Sequence, residues 1–307
     1  MEFHALWDYR VALDLFLGGV GVGIFLLSAY FSFIKKESAF VITRIGFFLS
    51  PVLVGLGVLA LMTELGKPFR MFSTFINVNP TSVTSWGGFL QFIFIILAFV
   101  AFFLVFRNKR EAFASPVFKG IVIAGSVFAL AVGIYHGTLL MSLGQPGWAN
   151  GLIPVMFLVS SLLCGSSIVM LIEAFMTKSL NSEARQAYKE IAAASEGFLS
   201  FSYSKLLLSL VVVQSILVIT WRISIFSAGT DAIYAYQNLI EYFGAYWWAL
   251  AVVLGLVIPL VISAFYFVKK QSMNLYSALM FTVVVLVGSY AFKHIILYSG
   301  QIPLAGL

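Results

Sequence analysis

Apolar positions gather into eight long blocks, at roughly 11–34, 43–65, 86–106, 117–140, 152–176, 204–226, 244–267 and 275–296, with short polar stretches between them. Blocks of about 20 residues suit a helix crossing a hydrocarbon layer of ~30 Å. A closed barrel would instead alternate polarity over segments of about 10 residues, and the chain shows no such alternation. The pattern predicts an all-α integral membrane protein with eight transmembrane helices. They form one polytopic domain over 1–307, with approximate halves 1–150 and 151–307. Pro51, Pro154 and Pro259 fall inside or at the start of blocks, where neighbouring helices can satisfy the freed carbonyls. In the first block, LFLGGVGVGIFLLSAYF, Gly18, Gly19, Gly21 and Gly23 make a smooth face for close approach of a helix or a ligand.

Composition agrees. Hydrophobic residues are 61% of the chain and charged residues 10%, against about 25% charged in a soluble domain. The net charge of +6 would suggest nucleic acid in a soluble protein. Here the basic residues sit in the connections, so orientation accounts for them and no nucleic-acid partner is expected. Lys35, Lys36 and Arg44 lie in or beside the first connection, and Arg107, Lys109, Arg110 and Lys119 at the third. Lys178, Arg185, Lys189 and Lys205 lie at the fifth, and Lys269 and Lys270 in the seventh. The other side has only Arg10, Lys67 and Arg70. By the positive-inside rule the odd connections are cytoplasmic and both termini extracytoplasmic. The start, MEFHALWDYR, lacks the basic region of a cleavable signal. Cys164 is the one cysteine, so the chain by itself holds no iron–sulfur cluster or structural zinc, and no metal site is expected. The fifth connection contains NSEARQAYKEIAAASEG, readable as a surface amphipathic helix or as a solvated connector.

This topology assigns a depth to each polar residue inside the blocks, where ionisable groups are costly and default to functional hypotheses. Asp14, Glu64, Tyr135, His136, Arg222, Lys293 and His294 all fall in one outer layer, from different helices, whereas Glu173 lies near the cytoplasmic end of the fifth block. Long side chains such as Lys293 can snorkel to the interface. Asp14 is too short to do so and must pair or face a wet cavity. Glu64 could simply pair with Lys67 or Arg70. The outer connection ELGKPFRMFSTFINVNPTSVTSWGG puts basic residues on the disfavoured side, stops a helix at Gly66 and Pro68, and turns at Asn79–Pro80. Thr84 or Ser85 could cap the next helix. The segment suits a surface that docks a partner or covers a ligand, with Lys67, Arg70, Asn79 and Trp86 as candidate docking residues.

Four stretches carry a family resemblance: ALDLFLGGVGVG, ELGKPFR, NPTSVTSWGGF and IYHGTLLMSLGQPGWANGLIPVMFLVSSLLCG. In this order they resemble the membrane subunit of the polysulfide reductase family, also called the NrfD/PsrC family. The likeness covers the first 175 residues or so, and the second half resembles the family mainly in hydropathy. The resemblance implies two four-helix bundles in the cytoplasmic membrane of a bacterium or archaeon. It implies a quinone, menaquinone or another, bound near the outer face, with no haem of the chain's own. It also implies an extracytoplasmic iron–sulfur subunit joined to a molybdopterin catalytic subunit. Asp14 and Tyr135 stand where the family contacts the quinone ring. Some relatives have histidine in place of Asp14, which leaves the donor at the ring oxygen open.

The expected activity is quinol oxidation within a respiratory oxidoreductase complex. Tyr135 donates a hydrogen bond to the ring, and Asp14 takes a proton or holds the ring, aided by His136. Gly18 allows close approach, and Arg222 and Lys293 balance buried carboxylate charge. Glu64, with Lys67 and Arg70, lines the exit or anchors the partner. Three alternatives stand beside this. His136 and His294 could hold one haem b, the chain could be a secondary transporter, or it could be a purely structural anchor.

Overall fold

The computed structural model describes residues 7–34, 40–64, 82–179 and 203–303. The helices are α1 Tyr9–Ile34, α2 Phe40–Glu64, α3 Val83–Asn108, α4 Pro116–Met141, α5 Leu152–Ser179, α6 Tyr203–Ser227, α7 Thr230–Tyr246, α8 Ile258–Val268 and α9 Leu275–Ser299. A short 3-10 turn, Lys109–Ala114, follows α3, and a π-helical segment, Trp247–Val257, joins α7 to α8. Eight helices are long and apolar enough to cross a membrane, with Thr230–Val268 counted as one.

Seven of the expected spans agree with these bounds to within a few residues. The seventh does not. Its helix runs 39 residues, about 58 Å at 1.5 Å per residue, almost twice a hydrocarbon layer. The extra turns are α7, whose apolar face contributes the buried Ala235 and Leu239 while Tyr234, Tyr242 and Tyr246 are exposed. At the junction Pro259 occupies the first turn of α8. Proline has no N–H to donate, so the hydrogen-bond register changes beside it.

The cap of α3 also differs from expectation. Ser82, not Thr84 or Ser85, is the N-cap, its side chain accepting from the Ser85 N–H. The amphipathic stretch in the fifth connection lies outside the described residues.

Helix α1 is the most buried span and α5 the next. Helix α1 packs against α2, α4, α5 and α9, while α2 meets α3 and α3 meets α4. On the other side α5 meets α6 and α9, and the Thr230–Val268 helix packs on both α6 and α9. In lipid, helices gain no hydrophobic drive from meeting one another, so close packing of small residues matters more. The α1–α5 contact is of this kind. A Cβ on Gly23 would sit 2.8 Å from the Ser161 carbonyl carbon and 3.1 Å from the Gly165 Cα. Only glycine at both positions lets the two backbones touch.

At one end of the bundle, Trp7 N–H donates to Gln301 Oε1 at 2.8 Å, and Gln301 Nε2 donates back to the Trp7 carbonyl at 3.0 Å. Trp7 stacks on Trp148 at 5.9 Å. The Trp148 indole N–H donates to the Ile296 carbonyl at 2.7 Å. The α4–α5 connection is thereby tied to both ends of the described chain.

Candidate functional site

Asp14 lies within the first turns of α1, on the side facing α2 and α3. A Cβ added to Gly57 of α2 would come within 2.9 Å of its Oδ1, so the carboxylate is held against a helix backbone with no room for water there. Its hydrogen-bond partner is Gln91 of α3, whose Nε2 lies 3.3 Å from Oδ1 and 3.4 Å from Oδ2. The same amide nitrogen is 3.3 Å from Nε2 of His136 on α4. Three helices thus contribute one polar cluster, carboxylate–amide–imidazole, inside an apolar surround. All three side chains are almost completely buried, at 3%, 2% and 0% exposure for Asp14, Gln91 and His136. Burial of polar groups at this depth is tolerated because they bond to one another.

One polar atom in this neighbourhood remains unspent. Nδ1 of His136 is buried without a hydrogen bond. Tyr135, the preceding residue, has its phenol packed against Gly87 of α3, where any Cβ would overlap the ring. Its backbone carbonyl accepts from Thr138. The two rings are 6.0 Å apart. Gly18 proves to make room for the imidazole. A Cβ there would fall 2.8 Å from His136 Cε1 and 3.1 Å from Nε2.

Lys293 of α9 approaches α1 one residue further on. It is 1% exposed, and its Nζ donates to the Leu15 carbonyl at 2.9 Å and to Ser161 Oγ at 3.1 Å. A charge so deep needs hydrogen bonds to be tolerated, and it has two. Lys293 does not snorkel.

Glu64 stands apart from this cluster, at the membrane rim. It neighbours the Asp8 backbone and Arg10. Arg10 pairs with Asp8 at 2.8 Å and also donates to the Thr63 carbonyl. The guanidinium beside Asp8 holds that carboxyl below the usual carboxylate range. Arg222 is elsewhere again, between the rings of Phe226 and Tyr236. His294 stacks on Tyr298 at 4.3 Å. Glu173 is half-buried. Trp86 is exposed at the start of α3, edge-on to Phe89. Lys67, Arg70 and Asn79 lie outside the described residues.

The shared depth seen in the sequence therefore resolves into one cluster around Asp14 with Lys293 behind it, a rim pair near Glu64, and separate aromatic settings for Arg222 and His294. Sequence reasoning missed Gln91 because the search was for titratable groups. The available signal was that it is the sole polar side chain between Gly88 and Arg107. A quinone ring offers two carbonyl oxygens to donors. The Tyr135 phenol and the unspent His136 Nδ1, beside a buried carboxylate, suit it chemically. Among the described residues no group of three or more His, Cys, Asp or Glu could hold a metal ion.

Comparison with known proteins gives a consistent picture. The sequence matches the family described as "Polysulphide reductase, NrfD" over residues 1–305. It is 24% identical to a protein NrfD homolog of Haemophilus influenzae, covering 99% of this chain and 98% of that one. It is 25% identical to one of the chains of the polysulfide reductase of Wolinella succinogenes, over 58% of this chain and 62% of that one. It is 21% identical to one of the subunits of the selenate reductase of Mesobacillus selenatarsenatis, over 56% and 49% respectively.

Proposed function

Because the chain belongs to the polysulphide reductase NrfD family, we propose that it is the quinone-handling membrane subunit of a respiratory oxidoreductase complex. It exchanges electrons between the membrane quinone pool and an extracytoplasmic iron–sulfur subunit, itself joined to a molybdopterin catalytic subunit. Relatives named as parts of polysulfide and selenate reductases support such a complex. The observation that carries the quinol chemistry is the buried Asp14–Gln91–His136 cluster, with a free imidazole nitrogen beside Tyr135.

The quinone, menaquinone or another, supplies two-electron chemistry coupled to two protons. This chain's residues bind the ring and move the protons. Tyr135 donates a hydrogen bond to a ring oxygen. Asp14 accepts a proton at a carboxylate oxygen, and the Gln91 amide fixes the orientation of that carboxylate. His136 accepts from the Gln91 amide at Nε2, which leaves its proton on the free Nδ1, where it can donate to the second ring oxygen. Lys293 balances the carboxylate charge from behind α1. The proton leaves past Glu64 and Arg10 at the rim. Placing the proton acceptor within hydrogen-bond reach of the reacting group is the geometric requirement of general base catalysis.

The helix contacts support a grouping of α1–α4 and α5–α9 into two four-helix bundles, and the basic odd-numbered connections support extracytoplasmic termini. The membrane is then the cytoplasmic membrane of a bacterium or archaeon. Lys67, Arg70, Asn79 and Trp86 are the candidate docking residues for the iron–sulfur subunit. Asp14→Asn and Tyr135→Phe, made in the intact complex, should each lower quinol oxidation tenfold or more while the complex still assembles. Wild-type rates in both would defeat the site assignment. The native complex should also yield extractable quinone and iron. A lone polypeptide with neither would favour a transporter.

A further inference from the structure

A second built site lies away from the Asp14 cluster, between the end of α6 and the start of α7. A cavity of about 300 Å³ opens there, lined by Arg222, Phe226, Tyr236, Gln237, Glu241 and three isoleucines. The Arg222 guanidinium carbon is 3.9 Å from the Tyr236 ring centroid and 4.2 Å from that of Phe226. Aromatic faces attract the cation, and together the two rings occupy its flanks. Nη1 is buried without a hydrogen-bond partner, and the half-exposed residue lines the cavity. Glu241, the acid on the rim, is exposed, and the ion pair among the described residues is Asp8–Arg10, not one with Arg222. The arrangement is held from behind by Trp221, which is buried and packs on Tyr236 at 6.0 Å and on Trp247 at 5.6 Å.

The depth of this cavity limits what can fill it. Arg222 lies in the last turns of α6, about one membrane thickness from the helix start at Tyr203. Beside it, α7 exposes Tyr234, Tyr242 and Tyr246, the residue type that marks the membrane–water interface. From the cavity downward, Phe226, Ile223, Ile219 and Ile216 are exposed at intervals of three and four residues, giving one continuous apolar stripe on the lipid side of α6. The site is thus an unpaired planar cation at headgroup level above a track fit for acyl chains.

We propose that this cavity binds the phosphodiester headgroup of an anionic phospholipid. Arg222, which lines the cavity, donates to the phosphate oxygens, anions that a guanidinium matches. Gln237 adds a donor at the mouth, and the acyl chains run along the α6 stripe. The assignment does not depend on the redox reading.

The test uses the full chain, delipidated in mild detergent and titrated with phosphatidylglycerol, with diacylglycerol of the same chains, and with inorganic phosphate, read by native mass spectrometry. Wild type should retain one phosphatidylglycerol and bind diacylglycerol at least tenfold more weakly. Arg222→Gln should weaken phosphatidylglycerol at least tenfold, and Arg222→Lys should fall between. Gln237→Glu changes an exposed side chain and leaves folding intact. It puts a negative charge at the mouth and should also weaken retention, which keeps the test decisive if Arg222→Gln misfolds. Equal retention in wild type and Gln237→Glu, or in wild type and a folded Arg222→Gln, would overturn the proposal. Displacement of the lipid by millimolar phosphate would overturn it too, by showing a soluble-anion site.

Discussion

Replacing Gln91 with leucine removes the one amide that joins Asp14 to His136 while nearly conserving side-chain volume. The magnitude can be worked from the contacts. The amide nitrogen lies 3.3 and 3.4 Å from the carboxylate oxygens and 3.3 Å from the imidazole nitrogen. A strong N–H···O bond is nearer 2.9–3.0 Å, so the two links merit the lower part of the ~0.5–1.5 kcal/mol range for a net hydrogen bond. Together they amount to about 1–2 kcal/mol. At about 1.4 kcal/mol per decade this is on the order of 5- to 30-fold in quinol turnover, if the links serve to place the proton acceptor. Stability should suffer separately, since a buried carboxylate left without its donor costs about 1–3 kcal/mol. Initial rates of quinol oxidation by the intact complex across a range of quinol concentrations measure the first effect, and a melting curve in detergent measures the second. Wild-type turnover at every concentration, in a protein that melts as wild type does, would refute the claim that Gln91 organises this site.

Three further outcomes are expected. Gly87→Ala would drive a methyl into the Tyr135 ring, so the phenol must move. Quinol oxidation should fall at least as far as in Tyr135→Phe, and an unchanged rate would show that the phenol position is unimportant. Gly165→Ala brings a methyl onto the α1 backbone at Gly23, an overpacking of about 1–3 kcal/mol or more, read as a lower melting temperature and lower yield of folded protein. The Asp8–Arg10 pair depresses the Asp8 carboxyl, so whatever stability it gives is present above the ordinary aspartate value of about 3.9 and is lost as pH falls through the lower folded value. Melting curves of wild type and Asp8→Asn should differ at neutral pH and converge in acid, and a gap constant with pH would contradict this.

Much of the architecture could be read from hydropathy because a membrane span must be about 20 apolar residues long. The same criterion hid α7. Asp231, Gln237, Asn238 and Glu241 lower its hydropathy, and its helical signal lies in periodicity, with Ala232, Ile233, Tyr236, Ile240 and Phe243 packed against the core. Asp14, His136 and Lys293 could be found from charge and depth alone. That Lys293 would reach the Leu15 carbonyl, or that Arg222 would be flanked by rings, depends on helix rotation, which a one-dimensional depth argument does not contain. Gln91 shows the other blind spot. An uncharged amide in a long apolar run bears function through its two neighbours on other helices, and no local pattern announces them.

The contact of Gly23 with Gly165 bears on mechanics. Carriers that expose a site to each side in turn do so by rocking one repeat against another, which requires a seam able to slide. Here the seam is bare backbone meshed with backbone, and sliding would lift each helix out of the notch made by the other's missing side chain. The halves behave as a single stiff frame. If the proposed function holds, distances fixed by such a frame, including the gap from a bound quinol to an iron–sulfur subunit docked beside it, stay constant from one turnover to the next. A device that passes electrons benefits from that constancy, whereas a rocking carrier would be jammed by it.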